Sequence, residues 1–159
     1  MKNQRGFTLP ELLVAILFFA LLLAASMYLL RVQKHDVAQR NAERRLEIAA
    51  LSRGTAKYIA AKGGLPDVPS KATPIGSYEG QYDLCGITVP AYSLDMPLDP
   101  LHGAKVTYNE DDTPIPSTKR CNVEGVEYTT GYTIRKNDKG QIVLGVQKPE
   151  GPALTFTMR

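Results

Sequence analysis

Glu11 stands against nineteen consecutive uncharged residues, Leu12 to Leu30, and a few positions before it lies the Gly6-Phe7 bond, where a peptidase could cut. A carboxylate at the mouth of such an apolar run is costly unless something neutralises it. Lys2 and Arg5 make the residues ahead of Gly6 a short basic leader. Little else in the chain suggests reactive chemistry. There is no serine nucleophile elbow and no glycine-rich phosphate loop, and His35 and His102 lack a catalytic companion, so no enzyme is expected. Cys85 and Cys121 are the two cysteines, and two thiols outside a membrane fit one disulfide, with two unlinked buried cysteines as the alternative. Neither a Cys-x-x-Cys nor a His-x-x-x-His pair occurs, which leaves a metal reading little support.

The apolar run is long enough, at about 1.5 Å per residue, to cross a hydrocarbon core of about 30 Å. It is open to three readings. A secretory signal peptide would end at Ala24-Ala25-Ser26, yet the run continues through Met27, Leu29 and Leu30. A plain signal anchor would tether an external domain. The third reading rests on the order of residues from Gly6 to Leu12. Flanking charge does not separate them, since Arg31, Lys34, Arg40, Arg44 and Arg45 follow the run as Lys2 and Arg5 precede it. The leader is too short to do anything but stay cytoplasmic, so the C-terminal part should face outward.

The order Gly6-Phe7-Thr8-Leu9-Pro10-Glu11-Leu12 after a basic leader resembles the processing site of type IV pilins and type II secretion pseudopilins. The resemblance implies a prepilin peptidase that cuts after Gly6 and methylates Phe7, an inner-membrane assembly platform, and a helical filament of many copies. It implies membrane lipid around the segment before assembly and a cell-surface filament after it. The cationic amine of Phe7 on one copy would then meet Glu11 on another, a pairing strongly favoured at low dielectric over two unpaired charges. Locally, Thr8 to Glu11 also has capping-box spacing, which accounts for a helix start. The sequence departs from the family in three places. Pro10 stands where many members carry Ile or Val, no proline lies between Pro10 and Pro66, and Cys121 is followed by two expected strands and more instead of lying near the C-terminus. Pro97-Leu98-Asp99-Pro100-Leu101-His102-Gly103 is similar to a segment ahead of the first strand in major pseudopilins, some of which bind calcium. Asp138, Glu110, Asp111 and Asp112 are candidates by composition only, since acids in loops are usually just solvated.

The rest of the chain divides readily. Residues 1–6 read as leader, 7–30 as transmembrane and filament-core helix, 31–64 as its amphipathic continuation, and 65–159 as a globular head. Ile48, Leu51, Thr55, Tyr58 and Ile59 recur at helical spacing, with Glu43, Arg44, Glu47 and Arg53 assigned to the opposite, polar face. Gly63-Gly64 and Pro66 stop a helix that would run roughly 80 Å from about Leu9. Residues 65–100 are rich in proline and read as loop, in which Tyr78, Tyr82 and Tyr92 either contact other subunits or roof the sheet. Strands are expected over 104–109, 128–136, 141–147 and 153–158, with Asn137-Asp138-Lys139-Gly140 and Pro149-Glu150-Gly151-Pro152 as turns. The fold class is α+β, type IV pilin-like: a long helix on a small antiparallel meander. The net charge of +3 falls to +1 once Lys2 and Arg5 are removed, too close to neutral for a nucleic-acid partner.

Overall fold

A computed structural model describes residues 9–150 and 152–158, apart from the side chains of Val32 and Gln33. The chain divides into two units, Met1–Gln39 and Arg40–Arg159. Helix α1 (Leu9–Lys62) contributes to both. The second unit adds β1 (Thr73–Gly76), α2 (Cys85–Thr88), β2 (Ala104–Tyr108), β3 (Pro114–Pro116), β4 (Glu127–Lys136), β5 (Ile142–Val146) and β6 (Thr155–Met158). The six strands form one antiparallel sheet in the order β3-β2-β4-β5-β6, with β1 pairing β4 off that path. The architecture is α+β, a long N-terminal helix and an antiparallel sheet, as expected.

Alternation sets the buried face of the sheet. Tyr128, Thr130, Tyr132 and Ile134 of β4 point to one side with Ile142 and Leu144 of β5, and all six are buried. Ile48 and Leu51 of α1 join this core, as the helical spacing predicted. Thr55 is buried on the same stripe because its Oγ donates to the Leu51 carbonyl at 2.8 Å, leaving no polar atom orphaned. The β4–β5 turn closes with Gly140 N–H on Asn137 O at 2.9 Å, and the Asn137 side-chain oxygen accepts from Lys139 and Gln141. Gly140 has φ of +75°, which explains the glycine there.

Three elements escaped the sequence reading. The segment 65–100 holds β1 and α2. Thr73-Pro74-Ile75-Gly76 lies in the stretch read as loop and becomes a strand only because the long β4 offers it an edge. Pro114-Ile115-Pro116 is an outer strand, the position where proline's missing N–H does least harm. The tyrosines of this segment differ in role. Tyr82 packs partly buried against the core and donates to Pro66 O at 2.7 Å, and Tyr92 sets its ring edge-on to Tyr58 with centroids 5.4 Å apart. Tyr78 stays exposed.

Candidate assembly site

In the first unit the apolar helix has no cover. Every large apolar side chain from Leu12 to Leu30 is between 51% and 69% exposed. The most apolar eighteen-residue window of α1 has a mean hydropathy of 2.7 and none of it is buried. Glu11 lies in the first turn, where its charge complements the N-terminal end of the helix dipole. It also borders a shallow apolar groove of about 570 Å³ formed with Pro10, Val14, Ala15, Phe18 and Phe19. Acid and groove share one helix face. Gly6, Phe7 and the Thr8 cap fall outside the described residues.

The second unit is organised around a different carboxylate. Asp99, in the segment 97–103, is 1% exposed, and Arg44 of α1 is fully buried beside it. The guanidinium donates through Nε to Asp99 Oδ2 at 2.5 Å and through Nη2 to Oδ1 at 3.3 Å. Asp99 Oδ1 also accepts from the Leu101 and His102 amides, each at 2.9 Å. Burial alone would push the Asp99 carboxyl up. Arg44 and the two amides outweigh it and hold the group below the usual carboxylate range. Gly103 and Gly131 make room for this turn, since a Cβ at either would come within 2.6 Å of Asp99.

Glu150 extends the cluster. It accepts from Arg40 through Nε and Nη2 and from Arg44 through Nη1, all at 2.9 Å. Those contacts, Arg40's hydrogen bond first, hold its carboxyl low. Glu47 behaves oppositely: burial raises its carboxyl even though Tyr132 donates a hydrogen bond to it. Two residues assigned to the polar face therefore belong elsewhere, Arg44 inside the core and Glu47 half-buried on the sheet. The spacing held the signal: Arg44, Ile48, Leu51 and Thr55 follow one helical stripe, so the arginine shares the buried face. What periodicity could not supply was its partner, fifty-five residues away.

Cys85 and Cys121 form a disulfide with Cα atoms 6.2 Å apart, which removes the alternative of two unlinked thiols. Asp95 pins the adjoining backbone, accepting from the Cys121 amide at 3.1 Å and the Met96 amide at 2.9 Å, and it pairs with Lys105. His102 serves Asp99 through its backbone, and His35 is exposed. Glu110, Asp111, Asp112 and Asp138 are all exposed, and among the described residues no three His, Cys, Asp or Glu side chains gather as a metal site would require.

These features define an α+β protein with a transmembrane-capable N-terminal helix and a disulfide-bonded second unit. Residues 1–27 match the family model of the prokaryotic N-terminal methylation motif, the signature of type IV pilins and pseudopilins. That motif indicates a type IV pilin-like prepilin substrate, a structural protein in kind, and implies processing by prepilin peptidase. No curated protein and no solved structure matches the chain.

Proposed function

We propose that this chain is a filament subunit, a pilin or pseudopilin. It is cut between Gly6 and Phe7, methylated at Phe7, and polymerised from the membrane into a pilus-like or secretion-pseudopilus filament. One observation carries the reading: the exposed apolar run of helix with an acid at its head, most of which lies within the methylation motif of residues 1–27. While in the membrane, Leu12 to Leu30 is solvated by lipid. Once extracted by an inner-membrane assembly platform it cannot face water, since each large apolar side chain left exposed would cost about 1.5–3 kcal/mol. Bundling the helices of many copies removes that penalty. Glu11 of one copy neutralises the Phe7 amine of another and fixes the axial offset, and because the contact is head-to-tail it propagates without closing. The head faces out of the cytoplasm throughout.

The rival is a tethered or secreted binding domain that never polymerises. Replacement of Glu11 by alanine separates the two. Leader removal should proceed as in the unsubstituted protein while filaments sheared from the cell surface disappear. Normal filaments from Glu11→Ala would rule out the pairing mechanism.

A further inference from the structure

A cavity of about 760 Å³ opens where α1 ends. Its floor is apolar, from Ile59, Leu65, Val68 and Ile142, and Lys136 and Lys139 stand at its rim with Asp67 as the single lining acid. Both lysines are exposed, and neither enters an ion pair among the described residues. Far from it, the β2–β3 turn carries Glu110, Asp111 and Asp112 in a row, all exposed and likewise outside any such pair. This turn is a built projection. Asp112 N–H donates to Asn109 O at 3.1 Å, and the Asn109 side-chain oxygen accepts from the Thr113 amide at 2.8 Å. Asp112 takes the left-handed conformation, with φ of 59°, that a tight turn needs and Asp tolerates.

The sheet topology fixes where the two features lie. β2 runs antiparallel to β4 with Val106 opposite Glu127, so the acidic turn emerges beyond the first residue of β4. The cavity, bounded by the β4–β5 turn, lies beyond the last residue of β4, Lys136. Ten residues of strand separate these ends by roughly 30 Å. A chain therefore cannot seat its own acidic turn in its own cavity, whereas a second copy can.

We infer that the cavity of Lys136 and Lys139 receives the Glu110-Asp111-Asp112 turn of a second copy, making a contact between neighbouring globular units within the filament proposed above. Complementary charge selects the occupant and its register. The two surfaces sit at opposite ends of one sheet, so each copy offers a socket at one end and a plug at the other. Such a heterologous contact repeats along an axis and does not close into a dimer. It rests on the filament reading and adds a second register mark to the one at Glu11.

Zero-length carbodiimide coupling on wild-type filaments, followed by peptide mass spectrometry, tests it directly. Peptides containing 110–112 should be joined to peptides containing Lys136 or Lys139. Their absence while other intersubunit cross-links form would overturn the inference. Charge exchange provides the second arm. Glu110→Lys with Asp111→Lys, or Lys136→Glu with Lys139→Glu, should each lower sheared-filament yield about fivefold or more, and all four together should restore it. Full assembly by either pair alone, or no rescue by the four, refutes the contact and leaves the filament reading intact. If the wild-type chain forms no filament at all, both readings fail together.

Discussion

The two halves of α1 share one backbone conformation and differ in almost everything else. From Leu12 to Leu30 apolar side chains surround the whole circumference and all are exposed. From Arg44 to Thr55 a single stripe is buried and the other faces stay largely polar. A stripe identifies its partner, because only one face has to be covered and the sheet of the same chain covers it. A helix that is apolar all round calls for an apolar medium on every side. The contrast extends to the two acids. Asp99 has its cation within its own chain at hydrogen-bond distance. Glu11, on the reading proposed here, has its cation on a neighbour.

The largest effect should come from breaking the internal pair. Arg44→Ala leaves the buried Asp99 carboxylate without its cation, which costs about 3–5 kcal/mol, whereas Asp99→Ala costs less because Arg44 keeps Glu150. Urea denaturation of the full-length chain in detergent, followed by tyrosine fluorescence, should show the second unit's midpoint fall sharply. An unchanged midpoint would mean that the ion pair does not hold this unit together. Next comes the disulfide, which closes a 36-residue separation. Its removal by Cys85→Ser with Cys121→Ser should cost about 3–4 kcal/mol in the same assay.

A smaller effect, of opposite sign at two carboxylates, sharpens the picture. Asp99 has a folded-state pKa below its unfolded one, so its contribution is complete above the ordinary aspartate range and is lost as pH falls through the folded value. Glu47 has a folded-state pKa above its unfolded one. The folded state then holds its proton more tightly, and stability declines as pH rises from the ordinary glutamate range toward the folded value. Glu47→Gln should flatten that decline while the acid-side loss due to Asp99 remains. A denaturation series across pH 3 to 7 that looks the same for both proteins would contradict the assignment. Smallest of all, Leu17→Ala or Leu21→Ala should leave the second unit's midpoint within about 0.5 kcal/mol of the original, since neither residue belongs to its core. A drop of several kcal/mol would erase the distinction between the halves.

Much of this contrast was legible in the sequence. The nineteen-residue run, the glycine stop at Gly63-Gly64 and the Asn137–Gly140 turn follow from local composition, and local composition is what one sequence displays best. The Ile48-Leu51-Thr55 stripe followed from period. The missing pieces share one cause: they depend on contacts distant along the chain. β1 exists because β4 has an edge, and β3 because β2 pairs with a segment whose two prolines argue against a strand. Residue type alone puts Arg44 on the polar face, although its position on the stripe indicates otherwise. The segment from Pro97 to Gly103 carries a resemblance in its sequence, while its physical role, presenting Asp99 to Arg44, depends on the fold.

The mass of the subunit recovered from the cell surface tests the central claim most directly. The account predicts a chain that begins at Phe7, carries one added methyl group on its terminal nitrogen, and is recovered in sheared filaments. A chain that retains Met1, or that begins after Ser26, recovered as a stable monomer, would contradict it.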